Sequence, residues 1–517
     1  MIETFVKTIT DRLAFVVSEP VRVRFAPSPT GYFHVGSART ALFNYLFSRV
    51  MRGEMILRIE DTDKERSKPE YEEDIVESLK WLGIEYGQMY RQSERTDIYR
   101  KYIEQLLDKG FAYYCFCTPE ELEAKRQYQL SEGLAPTYDG RCAKLSEKAT
   151  KEKAEKGESC IIRFKMPHKK VVFNDLVRGK IEFDTGLIGD VSIAKGLDTP
   201  LYNLSVVVDD YEMKISHVIR GEDLMPNTPK QIMIAEALGI KIPQYAHLPL
   251  ILGSDKSKLS KRHGATSVRD YIKQGYLQGA MINFLALLGW NPGDDKEIFT
   301  MNKLSKIFSL AKVQKSGAIF NAAKLDYLNG YYIRHTDLDK LTGLCIPYLV
   351  RAGYLSPVIK DAKIPATFGG SEISYRYRIT ETGEEIEYDR IKKMAEIYQE
   401  RLKKLSEISE LLDYFLKDKL QYDKELLFWK KSTPEETGEV MKKTIKALEG
   451  IDKWNLENIT KTLDSLASQV GGKGNVLWPL RAAMTGKKAS AGPYDIAEIL
   501  GKDRVVKRLK TAIAKLK

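Results

Sequence analysis

"PVRVRFAPSPTGYFHVGSARTALFNYLFSRVMRGEMILRIE", residues Pro20–Glu60, decides the architecture. Pro20 to Pro27 alternates apolar and basic residues and stops at a proline, as a strand does. From Gly36 the period changes. Ala38, Ala41, Leu42, Tyr45, Leu46, Arg49 and Val50 fall at helical spacing on one mostly apolar face, and the helix is expected to end near Gly53. "EMILRIE" then reads as a second strand. This order is a βαβ unit, hence a parallel sheet with ligand sites at the strand C-termini.

His34, Val35, Gly36 and Ser37 stand at the start of that helix. Backbone N–H groups there face outward unpaired, and the helix dipole favours anions. Gly36 admits a close ligand, and His34 can donate to a phosphate oxygen as charge builds on it. Pro27 and Pro29 stiffen the approach and fix where Ser28 points. Taken alone, these residues are equally an ordinary capped helix after a proline turn. A second loop, "DKSKLSKRHG" (Asp255–Gly264), carries three lysines and an arginine. It is either a solvated basic loop or a phosphate loop, in which Lys258 and Lys261 neutralise charge developing between α- and β-phosphates. Neither the P-loop nor the dinucleotide glycine pattern is present, which argues against those two classes.

The 517 residues are too many for one core. A composition of 43% hydrophobic and 30% charged residues is that of a globular protein, and no apolar run is long enough to span a membrane. The net charge of +11 suits a polyanionic partner. Five cysteines are too sparse for a disulfide framework and fit a reducing compartment, so a cytoplasmic location is expected. Residues 1–20 have the makings of neither a secretory signal nor a transit peptide and read as an extension with a helix over Glu3–Val16.

Residues 111–200 mix short strands ("SCIIRFKM", "KIEFD") with a charged stretch and look like a domain inserted into the first. Sheet-like signal returns over Leu201–Asp223. A helix follows, with Thr228 as N-cap, Pro229 at the first position and Gly239 after the last turn. "HLPLILG" (His247–Gly253) reads as one short strand. Beyond residue 265 the pattern is mainly helical, with a hairpin expected over Ile373–Arg390 and a final amphipathic helix over about Arg504–Leu516.

The two loops together resemble the signature pair of class I aminoacyl-tRNA synthetases: "HVGS" the first, "KLSKR" (Lys258–Arg262) the second. "RFAPSPTGYFHVGSARTALFNYLFSR", "LRIEDTDKER", "YRQSER", "YDGRC", "VVVDDYEM", "HVIRGED" and "PLRAAMTG" narrow the resemblance to the bacterial-type glutamyl-tRNA synthetases. It runs from about Val21 to the C-terminus and is sparser after residue 340.

The resemblance implies an α/β Rossmann-type catalytic domain with an inserted α+β acceptor-binding domain, then a mostly helical anticodon-binding region. The expected divisions are 1–20 extension, 21–110 and 201–265 catalytic halves, 111–200 insertion, 266–337 stem contact, and 338–420 and 421–517 anticodon-binding subdomains. It implies ATP with Mg2+ as substrate, L-glutamate, tRNA(Glu), no membrane, and a monomer. Arg24 and Arg220 match the two arginines on the substrate's carboxylates, Arg24 facing the side-chain carboxylate and Arg220 the other. A substrate with two carboxylates needs two cations, and arginine offers a bidentate fork. Ser28, Glu60 and Tyr202 match the remaining glutamate contacts, Glu60 as partner of the α-ammonium. His34, Gly36, Lys258, Ser260 and Lys261 match the ATP and transition-state contacts, with Asp223 and Leu259 against the nucleoside. "APSPTG" and "RIEDTD" resemble the glutamyl rather than the glutaminyl pattern. Cys115, Cys117 and Cys142 resemble a family zinc site. Lys144 stands where zinc-binding relatives have histidine; Tyr138, in "YDGRC", resembles the replacement ligand of related proteins, and the alternative is three reduced cysteines without metal. Arg481 and Thr485 are the expected tRNA contacts in the C-terminal region.

Overall fold

The computed structural model describes residues 20–260, 262, 266–358 and 376–516. The expected helix over Glu3–Val16, the catalytic candidate Lys261 and the first residues of the Ile373–Arg390 hairpin lie outside them. Two compact units divide the chain: one up to Ile272 together with Gln278–Leu325, the other Lys273–Leu277 together with Asp326 onward.

In the first unit, β1 (Arg22–Phe25) leads into α1 (Val35–Val50), β2 (Glu54–Ile59), α2 (Pro69–Leu82), β3 (Met89–Arg91) and α3 (Thr96–Asp108). The chain returns with α4 (Tyr202–Glu212), β4 (His217–Gly221), α5 (Thr228–Leu238) and β5 (Gln244–Leu248). The strands lie in the order β3-β2-β1-β4-β5, every pair parallel. That is one doubly wound half, and the strand order reverses between β1 and β4, so a crevice opens beyond their C-terminal ends. β1 and β2 are buried almost throughout, Arg24 and Arg58 included, because helices cover both faces of a parallel sheet. α1 buries Val35, Ala38, Ala41, Leu42 and Leu46 completely. α2 has Pro69 at its start, Glu70 and Glu72 facing the positive end of its dipole, and Gly83 closing it at φ 66°.

Three local expectations are corrected. Residues 202–212 are a helix, not sheet: Leu204 through Asp210 are all buried, so no polar face marks the helical period and Val206–Val208 mimic a strand. Thr228 is not the N-cap of α5. Asn227 occupies that place, and the Thr228 hydroxyl is engaged by Arg220 instead. "HLPLILG" is not one strand. β5 stops at Leu248, just before Pro249, and Ile251–Leu252 pairs in parallel with Ala318–Ile319.

Between α3 and α4, Ala112–Cys115, Ile161–Phe164, Val191–Gly196 and Thr199–Pro200 form an antiparallel sheet. Lys170–Asp175 and Gly179–Asp184 form a separate hairpin. Its turn docks on β5, where the Leu176 N–H donates to the Tyr245 carbonyl at 2.9 Å.

The second unit is mostly helical, running from Leu338–Arg351 to the final helix Lys502–Leu516 around a core that includes Leu341, Ile391, Leu412, Leu463 and Leu509. Arg376–Ile379 and Glu385–Glu387 form the expected hairpin and extend Leu355–Pro357 into an antiparallel sheet. Among the described residues no helix is long and apolar enough to cross a membrane.

Candidate active site

His34 caps α1 with its own ring: Nδ1 accepts from the Ser37 N–H at 3.2 Å, and Nε2 lies 3.0 Å from the Ser37 hydroxyl. The proton is therefore assigned to Nε2, ready to donate. Gly36 leaves room for this fold-back: a Cβ there would stand 3.0 Å from the His34 ring, a tight contact that the ring would have to yield to. The His34 pKa is held below its usual value by desolvation and by Lys258, against Asp223.

The basic loop is anchored by backbone pairing within it and after it. Within it, Leu259 donates to the Ile251 carbonyl at 2.9 Å, and Lys258 bridges Leu252. After it, Val35 donates to Thr266 and Val268 to Phe33, at 2.9 and 2.8 Å. Backbone pairing thus holds the ends of the two signature loops together. Lys258 Nζ reaches Asp223 at 3.2 Å, just past the end of β4. Gly221 leaves room for that carboxylate: a Cβ there would meet Asp223 Oδ1 at 2.5 Å. Ser260 is exposed and Leu259 half-buried.

Beside this lies a buried charge cluster. Arg24, at the C-terminal end of β1 and 3% exposed, uses only Nε among the described residues, donating to Asp210 Oδ1 at 3.1 Å. Arg58, fully buried on β2, donates to the same oxygen at 2.7 Å and to Glu60 at 3.1 Å. Asp209, next along α4, accepts from Gln92, Arg95 and Tyr99. Burial pushes the Glu60 carboxyl up against the pull of Arg58 and Arg24. Burial raises Asp210 too, but Arg24 and Arg58 outweigh it, and its pKa ends below the usual value.

On β4, Arg220 is 4% exposed. Nε donates to His247 Nε2 at 3.1 Å and Nη2 to Thr228 at 2.8 Å, while buried Nη1 has no partner among the described residues. A buried guanidinium N–H without an acceptor costs about 1–3 kcal/mol or more, so an anionic ligand fits it. Tyr202 is half-buried, and burial first, then the charge of Glu60, push its hydroxyl above the usual value against the pull of Arg220 and Arg24. Ser28 is exposed at the end of β1.

Sequence reasoning missed Arg58, Asp209, Asp210, His247 and Asp175. The signal was available in two of these places: a lone arginine inside the apolar run of β2, and two adjacent acids after three valines. Charges in such settings are buried only when paired.

The cysteine cluster stands apart in the inserted sheet. Cys115, Cys117 and Cys142 hold their sulfurs within 4.8 Å of one another. Cys117 and Cys142 sulfurs are 3.6 Å apart, and the Tyr138 hydroxyl is 3.4 Å from both Cys115 and Cys117. Tetrahedral zinc needs S···S of about 3.8 Å and S···O of about 3.5 Å, close to these three separations, so the cluster has donors suited to the ion. Lys144 is exposed and no competitor. Arg163 donates to Cys115 Sγ at 3.3 Å and lies 4.0 Å over the Tyr138 ring.

In the second unit, Arg481 stacks on Trp478 at 4.5 Å and donates to the Lys488 carbonyl. Thr485 is corrected: it is 2% exposed, and its hydroxyl donates to the Arg481 carbonyl at 2.8 Å, so it closes its helix rather than presenting a group to RNA.

Residues 20–327 match the family model for the catalytic domain of class I tRNA synthetases (E and Q), and residues 341–513 an anticodon binding domain. The chain is 44% identical to the glutamate–tRNA ligase 1 of Caldicellulosiruptor saccharolyticus over 504 residues, covering 95% of this chain and 98% of that one. It is 44% identical to the glutamate–tRNA ligase of Aquifex aeolicus, covering 96% and 99%. The crystal structure of a glutamate tRNA ligase from Elizabethkingia meningosepticum, in complex with its amino acid, superposes with a TM-score of 0.82 at 34% identity, covering 96% and 100%.

Proposed function

The chain belongs to the glutamate–tRNA ligases, class I aminoacyl-tRNA synthetases that charge tRNA(Glu) with glutamate for translation, and on that premise we propose how the crevice beyond β1 and β4 does it. The observation that carries the reading is the pair of buried arginines at the ends of the neighbouring strands β1 and β4: among the described residues Arg24 bonds through Nε alone and Arg220 Nη1 has no partner.

Arg24 takes the side-chain carboxylate of glutamate and Arg220 the α-carboxylate, with Glu60, Tyr202 and Ser28 completing the site and Glu60 facing the ammonium. A glutamine side chain offers Arg24 no charge and only one acceptor oxygen, its NH2 facing the guanidinium where a carboxylate has a second oxygen, so it is rejected. One α-carboxylate oxygen attacks the α-phosphorus of ATP. The bond to the bridging oxygen breaks, and pyrophosphate leaves with the electron pair. His34 Nε2–H, the α1 N-terminus, Lys258 and Lys261 stabilise the added negative charge as it builds. Gly36 admits the phosphates, Ser260 donates to them, and Asp223 and Leu259 border the nucleoside. Mg2+ enters as the counterion of ATP. A hydroxyl of the 3′-terminal ribose then attacks the glutamyl carbonyl, and AMP leaves. No protein nucleophile is required.

Zinc at Cys115, Cys117, Tyr138 and Cys142 would brace the inserted sheet, and this is a structural role: all four positions are filled by protein. The domain divisions proposed are those read from the sequence, with tRNA along 111–200, 266–337 and the helical region, where Arg481 is the one named contact retained. The enzyme is proposed to work in the cytoplasm as a monomer.

Aminoacylation with tRNA(Glu) and tRNA(Gln), each with glutamate and glutamine, tests the reading. Glutamate on tRNA(Glu) alone is expected. Charging of glutamine without glutamate would overturn the role of Arg24.

A further inference from the structure

Arg220 is oriented by a chain of groups that ends outside the parallel sheet. Its Nε donates to His247 Nε2, and Thr228 Oγ1 both accepts from Nη2 and lies 3.2 Å from that same His247 nitrogen. On the other side of the ring, His247 Nδ1 lies 2.6 Å from Asp175 Oδ2. His247 and Asp175 side chains are fully buried. Asp175 belongs to the inserted hairpin, whose turn is pinned beside the site. Leu176 donates to Tyr245, Arg178 pairs with Glu222, and Glu222 accepts from the Leu250 N–H at 2.7 Å.

The carboxylate of Asp175 can only accept, so His247 carries its proton on Nδ1 and presents a lone pair at Nε2. That lone pair is the acceptor Arg220 Nε needs. A carboxylate placed directly on Arg220 would hold it equally well but would neutralise its charge and compete with the substrate. A neutral imidazole fixes the fork and leaves the charge available. With Nε and one Nη2 N–H held, the guanidinium is fixed, and Nη1, buried and without a partner among the described residues, is left for a ligand.

We propose that Asp175 and His247 are positioning residues for Arg220: the inserted hairpin sets the histidine tautomer, and the histidine turns one guanidinium N–H toward the substrate carboxylate. This rests on the reading of Arg220 as a glutamate contact.

Steady-state aminoacylation with the full chain tests it, reading KM for glutamate against KM for ATP. His247→Leu removes the acceptor and should raise KM for glutamate roughly 10–100-fold, as loss of a bond to a charged group does, with KM for ATP nearly unmoved. His247→Gln should recover most of this, because its amide offers an oxygen to Arg220 and an N–H to Asp175. Asp175 Oδ1 accepts from the Val177 and Arg178 N–H groups at 2.9 and 2.8 Å. In Asp175→Asn the oxygen stays there, and the NH2 faces Nδ1. The ring is forced into the wrong tautomer, and KM for glutamate should rise as in His247→Leu. Should His247→Leu fail to fold, His247→Gln and Asp175→Asn decide between them. A KM for glutamate in Asp175→Asn within about twofold of wild type, or equal rises in both substrates' KM, overturns the proposal. Arg220→Ala separates the two failures. If it leaves KM for glutamate unchanged, the role of Arg220 itself is wrong. If it raises KM while Asp175→Asn does not, only the relay is wrong.

Discussion

Replacing Asp210 by asparagine should destabilise the catalytic unit and loosen Arg24 in one step. Its Oδ1 is shared by Arg24 Nε at 3.1 Å and Arg58 Nη1 at 2.7 Å, with all three side chains at least nine-tenths buried. Each unit-charge pair at about 3 Å is worth about 5–6 kcal/mol gross at an effective dielectric of about 20. Desolvation of the ions consumes much of that, and measured losses on breaking one partner of a buried pair are about 3–5 kcal/mol. Arg58 keeps Glu60 and Asp209, and the asparagine oxygen still accepts one bond, so the lower end, about 3 kcal/mol, is expected. At about 2–4 °C per kcal/mol, melting of that unit should fall by about 6–12 °C. KM for glutamate should rise as well, because Arg24 has no other hydrogen-bond partner among the described residues. The measurement is thermal unfolding of wild type, Asp210→Asn, Arg58→Met and the double variant, read as a cycle. A melting point within about 2 °C of wild type, or a coupling energy below about 0.5 kcal/mol, would refute the shared-carboxylate account.

The same carboxylate predicts a pH dependence. Burial raises the Asp210 pKa, but Arg24 and Arg58 more than reverse this, and a depressed folded pKa confers stability that is complete above about pH 5 and fades as pH falls through the folded value. Wild type and Asp210→Asn should therefore differ fully near neutrality and converge in acid; a constant difference down to about pH 3 contradicts the assignment. Metal analysis of the purified protein should find about one zinc per chain, lost in Cys142→Ser. Less than roughly half an equivalent in the wild type would sink the site. Lys261→Ala should abolish adenylate formation while tRNA binding persists, and equal turnover in that variant would remove the second loop from the chemistry.

Much of the fold was legible because its signals are local. A proline-stopped alternating strand, a helical apolar period and a second apolar strand dictate a βαβ unit wherever they occur in that order, and the β1–α1–β2 segment formed as read. α4 was illegible for the opposite reason. A helix buried on every side carries no polar stripe, so Val206–Val208 read as strand until neighbours on all faces were known. Thr228 shows the same limit at one residue: a threonine before a proline looks like a cap, and only the approach of Arg220 from β4 diverts its hydroxyl.

The sequence by itself determined which chemistry is present. Through the motifs it shares with its family, it pointed to a nucleotidyl-transfer site at His34, Gly36 and Lys258 and to a two-carboxylate substrate at Arg24 and Arg220, since residue type sets which charges and donors are on offer. Tertiary structure decided which of those donors are free. Arg24 and Arg58 meet one oxygen of Asp210 across 186 and 152 residues of chain, and Asp175 reaches His247 across 72. Whether a buried guanidinium points at a ligand or at its own protein depends on such distant partners, and a linear pattern does not encode the distances between them.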